Sequence, residues 1–224
     1  QLVADLVRRE KDTIGLSRFR GPQDENDVGY SAKLMYMDQF VSGAWVLGYD
    51  GYFGTQDTKQ FGRTDVDLQG DFTQFENTLD INALFAQYNV ELIDKVNVSA
   101  GLRYEDIALS STVYSEEASF DVLAPKFGVT YALSPNNMIW FNASEGFYAP
   151  DIGSLFDLEE GNPDLKPEEA LNIEFGFRGH AGSFSWDTSV YHNKIDNYLV
   201  TQEFVRDNGD EFERTTNAGE VTIK

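Results

Sequence analysis

The chain has 224 residues, of which 14% are aromatic, and its 17 basic and 38 acidic side chains give a formal net charge of −21. Because phosphate binding requires a basic surface, this charge argues against nucleic acid as a partner. Without cysteine there are neither disulfides nor thiolate metal ligands, and nowhere do about 18 consecutive apolar residues occur, as a transmembrane helix would need.

Apolar and polar residues alternate along much of the chain, which predicts about ten β-strands with one apolar and one polar face each. The first ten residues also fit the apolar stripe of a helix, but they are predicted to be a strand. Residues 11–27 and 56–79 are rich in acids and turn formers and are predicted to be long connectors. The strands predicted in the first half are 1–10, 30–36, 45–53, 84–91 and 96–105.

The second half of the chain repeats this pattern after a polar loop near residues 110–120. A long acidic loop is predicted from residue 146 to about 169. The strand that begins at Phe184 is expected to continue to about Val205, and a last strand is expected to begin near Phe212. The strands predicted here are 125–131, 139–144, 170–178, the strand from 184 and the strand from 212.

Long and short connectors alternate along this series of strands. In an antiparallel sheet, successive connectors lie at opposite ends, so strict alternation places every long loop at one end. Outer-membrane barrels have this asymmetry, and their membrane strands have about ten residues. The short turns are predicted near residues 40, 94, 135 and 181, and the long loops near residues 19, 68, 115, 158 and 208.

The charged residues of the sharpest strands all occupy polar-face positions. A Lys or Arg that faces lipid at mid-membrane costs about 2–4 kcal/mol, so this register fits a membrane strand. A β-sandwich would also alternate, since its outer face is polar. Aromatic residues near the strand ends favour the barrel because they form girdles at both interfaces. The charged residues are Glu91, Arg103, Glu105, Lys126, Glu174, Arg178 and Asp187, and the aromatic ones Tyr36, Trp45, Tyr88, Tyr104, Tyr131, Phe147 and Trp186.

Three motifs follow one another in the stretch from residue 146 to 176. They are Gly146, Phe147, Ala149 and Pro150; then Asn162, Pro163, Asp164, Leu165, Lys166, Pro167 and Glu168; then Asn172, Glu174 and Gly176. In this order they resemble the barrel signature of TonB-dependent outer-membrane receptors. Residues 101–104 (Gly-Leu-Arg-Tyr) and 216–219 (Thr-Asn-Ala-Gly) resemble further pieces of the same barrel.

The resemblance implies an all-β fold, an antiparallel transmembrane β-barrel in the bacterial outer membrane. Barrels of this family have about 22 strands and a plugged lumen. Residues 1–224 are therefore interpreted as a partial barrel domain of about ten strands, from which the plug domain and the C-terminal strands are absent. The implied partners are outer-membrane lipid and, through the missing plug, the TonB complex.

The function implied by the resemblance is that of a receptor that binds a scarce, large ligand at its extracellular loops and imports it with TonB-supplied energy. The ligand expected first is a ferric siderophore. Haem is disfavoured, because haem receptors of the family place a histidine between similar motifs and this loop has none. Two alternatives stay open: a passive outer-membrane porin, and a soluble secreted β-sandwich binding module whose apolar faces pack together.

Four residues are candidates for ligand binding: Tyr52, Tyr148, Asp151 and Phe156. The alternative for Tyr148 and Phe156 is that they only pack the loop or belong to an aromatic girdle. Asn162 to Glu168 are expected to be architectural, turning the chain back into the wall. Arg103, Glu174 and Arg178 are candidates for contacts with a plug, or for pairing with one another.

No cofactor, metal site or catalytic group is expected. The acidic residues Asp157, Glu159 and Glu160 lack the spacing of a known calcium loop and are expected to be solvated. No nucleophile, base and orienting group recur together, so the chain is not expected to be an enzyme.

Overall fold

Twelve strands and one short helix make up the part of the chain that the computed structural model describes, which is residues 1–17, 21–40, 43–61, 68–112, 116–156, 160–206 and 209–224. The elements are β1 Leu2–Ser17, β2 Gly21–Phe40, β3 Gly43–Phe61, β4 Phe72–Ile93, β5 Val96–Ser111, β6 Glu116–Ser134, β7 Asn137–Tyr148, α1 Ile152–Phe156, β8 Glu168–Ala181, β9 Phe184–Asp196, β10 Leu199–Val205, β11 Glu211–Asn217 and β12 Val221–Ile223. Ten strands form one antiparallel sheet in the order β1-β2-β3-β4-β5-β6-β7-β8-β9-β12, while β10 pairs with β11 alone.

The connectors alternate between the two ends of this sheet, as predicted. Tight turns occupy residues 94–95, 135–136 and 182–183 at one end, whereas the turn predicted near residue 40 falls at 41–42, outside the described residues. Lys95 and Gly182 have φ angles of 67° and 59°, the left-handed conformation that tight hairpin turns require. This end is called the turn end below, and the opposite end the loop end.

The long connectors predicted around residues 19, 68 and 115 are wrong in length, because the strands continue into them. Strand β1 pairs with β2 as far as Ser17 and Gly21, and β4 has 22 residues where about ten were expected. The face that is apolar in the centre of the sheet becomes polar in these extensions, for example at Asp12 and Asn26, while the opposite face gains apolar pairs such as Leu79 with Leu109. The alternation of the central strands is therefore not continued in the extensions, although the hydrogen-bonded ladder is.

The strand predicted from Phe184 to Val205 is also wrong. Strand β9 ends at Asp196, Asn197 takes a positive φ of 55°, and the chain leaves the sheet to form β10. Asparagine tolerates this left-handed conformation better than most residues. The strand predicted near Phe212 is β11, which pairs with β10, so β12 rather than β11 extends the sheet.

One face of the sheet is apolar and uncovered. Large side chains on it are exposed to solvent, including Leu84 at 62%, Phe127 at 44% and Val190 at 69%. Cross-strand pairs share a face, and the register places Arg103, Glu105 and Lys126 together on the other side. Ten of the twelve described strands lie in this one sheet. Their apolar faces therefore do not pack together as the sandwich alternative requires.

Aromatic side chains border the apolar face near both ends of the strands. Toward the turn end, the rings of Trp45 and Tyr88 stack with centroids 4.2 Å apart. Toward the loop end, the Tyr104 hydroxyl donates a hydrogen bond to Asp121 Oδ1 at 2.5 Å. Such side chains join an apolar body to a polar tip and suit an interface between lipid and water.

The hydrophobic core of the described residues lies on the polar face, at the loop end. It joins Ile107 and Leu109 of β5 to Leu155, Phe156 and Leu165, which follow β7 in the chain. None of the helical segments described is long and apolar enough to cross a membrane.

Candidate ligand-binding site

Residues 149–156 and 160–167, which together are called segment 149–167 below, fold over the polar face of the sheet instead of extending away from it. Asp151 begins α1 as an N-cap residue: the Ser154 amide donates to Asp151 Oδ1 at 2.9 Å, and the Ser154 hydroxyl donates to Asp151 Oδ2 at 2.8 Å. The preceding Pro150 is fully buried. The cap therefore turns the chain back toward β5 directly after β7.

Three apolar side chains anchor this segment to the sheet. Leu155 is 1% exposed, Leu165 is 3% exposed, and Phe156 lies between them in the same cluster against Ile107 and Leu109. Burial of side chains of this size stabilises each contact by about 1.5–3 kcal/mol. Segment 149–167 is therefore packed against the sheet through these three side chains.

The β10–β11 hairpin holds the other side of the segment through the side chain of Asn217. Asn217 Nδ2 donates to the Lys166 carbonyl at 3.0 Å and to the Asn197 carbonyl at 2.6 Å, and the Lys166 amide donates to Asn217 Oδ1 at 3.0 Å. One amide side chain thus bonds both backbone groups of Lys166, as a neighbouring strand would.

Further hydrogen bonds join the hairpin region to the family-like motif. Asn162 Nδ2 donates to the Thr215 carbonyl at 3.0 Å, and the Leu199 amide donates to Glu168 Oε1 at 2.7 Å. Arg214 donates to the Gly161 carbonyl through Nε at 2.9 Å. Asn162 and Glu168 therefore join this segment to the hairpin region, and the architectural role expected for residues 162–168 stays a prediction.

Gly176, the last motif residue, provides space for an aromatic ring. The indole of Trp140, its cross-strand neighbour, lies against the Gly176 backbone, and a Cβ atom there would overlap the ring. No side chain larger than hydrogen fits without displacing Trp140.

A cleft of about 620 Å³ opens between segment 149–167 and the polar face of β3, β4 and β5. Its floor includes Glu105, which is 8% exposed, and its rim includes Tyr148, which is 60% exposed. This volume is typical of a small-molecule site. The lining residues are Gln56, Phe75, Asn77, Leu79, Ile81, Glu105, Ile107, Leu109, Phe147, Tyr148, Ala149, Pro150, Asp151, Ile152 and Gly153.

An ion-pair cluster lies beneath the cleft. Arg103 Nη2 is 2.5 Å from Glu105 Oε2, and Arg103 Nη1 is 3.5 Å from Asp50 Oδ2. The single guanidinium therefore faces two carboxylates, and the cluster carries a net negative charge. These pairs hold Glu105 in place at the floor of the cleft.

Two polar atoms beside the cleft lack partners among the described residues. Asn77 Nδ2 donates to Gln56 Oε1 at 3.3 Å, but Asn77 Oδ1 is buried with no hydrogen-bond partner. Ser111, the cross-strand neighbour of Asn77, is 4% exposed, and its hydroxyl is likewise unpartnered. Both atoms are exceptions to the rule that buried polar atoms are hydrogen-bonded, and because they are shielded neither is presented to the cleft.

The structure brings together only two of the four candidate ligand-binding residues. Tyr148 and Asp151 both line the cleft, and Asp151 also caps α1. Phe156 is buried at 7% exposure beneath it, the packing position that was its alternative. Tyr52 lies on β3 against Gly29 and Gly54, and it is not among the lining residues.

Sequence reasoning missed Gln56, Asn77, Ile81 and Glu105 as lining residues of one cleft. Gln56 and Asn77 fall in residues 56–79, which were predicted to be a connector and were therefore assigned to no face. The missing signal is the pairing of β3 with β4, which places Asn77 opposite Gln56. The sequence did not predict this pairing, because the apolar face of the central strands does not continue through residues 56–79.

The structure also locates Arg178 and part of the acidic loop, for which the sequence suggested ion pairs or solvation. Arg178 pairs with Asp187 of the neighbouring strand, with Nη2 2.7 Å from Oδ2, at the turn end. Of the acidic trio proposed to be solvated, Asp157 and Glu159 lie outside the described residues. Among the residues that are described, no group of three or more His, Asp or Glu side chains is arranged to hold a metal ion.

Comparison with known proteins relates the whole sheet to one family. The family described as TonB dependent receptor-like, beta-barrel matches residues 6–224. The chain is 28% identical over 110 residues to the vitamin B12 transporter BtuB of Vibrio vulnificus (strain CMCP6), which covers 48% of this chain and 18% of the relative. It is 28% identical over 134 residues to the ferrienterobactin receptor of Escherichia coli (strain K12), covering 52% and 17%.

Solved structures match over almost the full chain. The copper transporter OprC superposes with a TM-score of 0.79 at 13% identity, covering 96% of this chain and 38% of that one. The siderophore receptor PirA from Pseudomonas aeruginosa gives 0.69 at 16% identity, covering 98% and 41%. At these identities the likeness concerns the fold. The chain spans less than half the length of each of these proteins.

Proposed function

Because this chain belongs to the TonB-dependent receptor-like β-barrel family, we propose that the protein captures a ferric siderophore at its loop end and imports it with energy supplied through TonB. As a member of this family it lies in the bacterial outer membrane, and its ten-stranded sheet is part of the barrel wall. The uncovered apolar face is then the lipid-facing surface, and the polar face lines the lumen.

The observation that carries the proposal is the cleft of about 620 Å³ on the lumen side of the loop end. Strand β4, with 22 residues, is roughly 70 Å long at about 3.3 Å per residue, whereas the apolar band of such a barrel is about 25 Å tall. Strands of this length project beyond the membrane, which supports a position of the cleft at the extracellular mouth, where an arriving ligand meets the protein first.

A rigid mouth favours capture over passive flow. Segment 149–167 is held against the lumen face of the sheet by its buried apolar side chains and by Asn217, so it narrows the lumen at the loop end. It also forms one side of a small-molecule site. A general porin keeps an open aqueous channel instead. The contact with TonB, through a plug on the lumen side, is part of the proposal.

Relatives include receptors named for iron chelates and transporters named for a corrinoid. The ferrienterobactin receptor and the siderophore receptor PirA are named for iron chelates. The vitamin B12 transporters among the relatives make cobalamin the second candidate. Both kinds of ligand are large and scarce, and a porin does not concentrate them.

The proposal is tested with the full-length gene in an iron-starved host that lacks its own siderophore receptors. Uptake of radioactive iron from ferric siderophores is expected, and it should stop when TonB is deleted or the membrane is uncoupled. Uptake that continues without TonB would identify a passive pore. Uptake of radioactive cobalamin alone would assign the corrinoid function.

A further inference from the structure

We propose that the ligand of this cleft is an uncharged or cationic molecule with hydrogen-bond donors, and that the cleft selects against polyanionic ferric chelates. The inference rests on the proposed function, because it names the substrate class of that same site. It is carried by three features of the cleft: the sign of its charges, its carboxylate acceptors, and its apolar wall.

The charges that line the cleft have one sign. Its lining includes the carboxylates of Glu105 and Asp151 and contains no Lys, Arg or His, and every lining residue belongs to the described part of the chain. The guanidinium of Arg103 is engaged by Glu105 and Asp50 and does not offset both. A ligand charge therefore meets a negative potential on this wall.

The size of this effect depends on how well water screens the site. A unit charge about 4 Å from a carboxylate changes affinity by roughly fivefold in water and by several hundredfold at a partly buried position. Arg103 pairs with Glu105 and Asp50, so one net negative charge remains among these three groups, and the second lining carboxylate, Asp151, is exposed. The expected effect therefore lies between these two limits, and it grows with each negative charge that a ligand brings near the cleft.

The carboxylates that line the cleft select for donors. Glu105 and Asp151 belong to the lining, and an ionised carboxylate can only accept hydrogen bonds. An N–H or O–H group of a ligand can donate to these oxygens, whereas an anionic oxygen is repelled by them.

An apolar wall completes the site. Phe75, Leu79, Ile81 and Phe147 supply apolar surface to the lining of the cleft, and the exposed Tyr148 also belongs to the lining. Methylene or ring surface on the ligand is buried there by the hydrophobic effect. The three features together fit a chelate that presents amide, hydroxyl or ammonium groups on a largely apolar framework.

The experiment measures binding of three probes to the purified full-length receptor in detergent. The probes are a ferric tris-hydroxamate with a free ammonium group, a ferric tris-catecholate, and cobalamin. We expect the cationic hydroxamate to bind at least tenfold more tightly than the anionic catecholate. Tighter binding of the catecholate overturns the inference and leaves siderophore import intact.

The other outcomes separate the two proposals. If cobalamin binds and neither iron chelate does, siderophore import fails, while selection for uncharged, donor-bearing ligands is supported. If none of the three probes binds, both proposals are overturned. A hydroxamate and a catecholate that bind equally well also overturn the charge selection.

A pair of variants assigns the selectivity to this cleft. Asn77→Lys places an ammonium in the cleft lining, so we expect at least a tenfold loss for the cationic probe and a gain for the catecholate. Thr78→Lys adds the same charge at the next residue, which faces the outside of the wall beside Ser110. It should leave both affinities within about twofold. Equal effects of the two variants would overturn the assignment.

Discussion

Replacing Asn217 with aspartate tests whether one side chain holds the extracellular mouth together. The two residues have nearly the same shape, but aspartate has no N–H to donate. Asn217 donates to the carbonyls of Lys166 and Asn197 at 3.0 and 2.6 Å. A carboxylate there keeps the hydrogen bond from the Lys166 amide and turns a negative oxygen toward two carbonyl oxygens.

The magnitude follows from the hydrogen bonds lost. Asn217→Ala removes three hydrogen bonds, two to Lys166 and one to Asn197, which at about 0.5–1.5 kcal/mol each weaken the attachment of the hairpin to segment 149–167 and to Asn197 by about 1.5–4.5 kcal/mol in total. Asn217→Asp loses two of them and adds repulsion, so it should be at least as damaging as alanine. A loss of about 3 kcal/mol raises the open population more than a hundredfold.

The assay is proteolysis of the β10–β11 hairpin in the full-length receptor embedded in outer membranes. Cleavage of a transiently open segment follows its open population when reclosing is fast. Gln202→Ala, an exposed position of the same hairpin, is the control and should cleave like the unaltered protein. An aspartate variant as resistant as the unaltered protein would refute the role given to Asn217, because the geometry allows no substitute donor at that atom.

Three other substitutions test the wall and the site. Val98→Arg should impair barrel assembly, since a cation facing lipid costs about 2–4 kcal/mol, whereas Ser99→Arg faces the lumen and should assemble; heat-modifiable mobility in gels reports both, and equal behaviour would contradict the register. Phe156→Ala should loosen segment 149–167 by about 3–5 kcal/mol and weaken ligand binding, although the side chain lies beneath the cleft; unchanged affinity and protease resistance would count against the anchor. Gly176→Val should displace Trp140 and shift its fluorescence, and an unshifted spectrum would show that the ring does not rest on the glycine.

The strand segments that form the apolar band were predictable, because one of their faces contacts lipid and the other contacts water. From Val96 to Glu105 the alternation is strict, and the structure pairs this segment with both neighbours in the predicted orientation. The same reasoning located the tight turns, since short polar breaks between such strands leave room for little else. The three motifs between residues 146 and 176 identified the family from the sequence alone.

The cleft was less predictable, because its residues come from segments without alternation. Gln56 and Asn77 stand in strand extensions with water on both sides, so their own sequence assigns no face. Phe156 is an aromatic residue in an acidic loop, and nothing in the loop distinguishes an exposed ring from a buried one. Its burial depends on Ile107 and Leu109, which lie about fifty residues earlier in the chain.

By itself, the sequence determined the class of fold, the alternation of turns and loops, and the family, because these follow from local periodicity and short motifs. Only the tertiary structure decided where the wall strands end, that β10 and β11 leave the sheet, and that segment 149–167 folds inward to form a cleft. The physical reason is the distance along the chain between the residues that interact. Periodicity is set by the solvent that each residue faces, whereas the cleft depends on hydrogen bonds and apolar contacts between residues far apart in the chain.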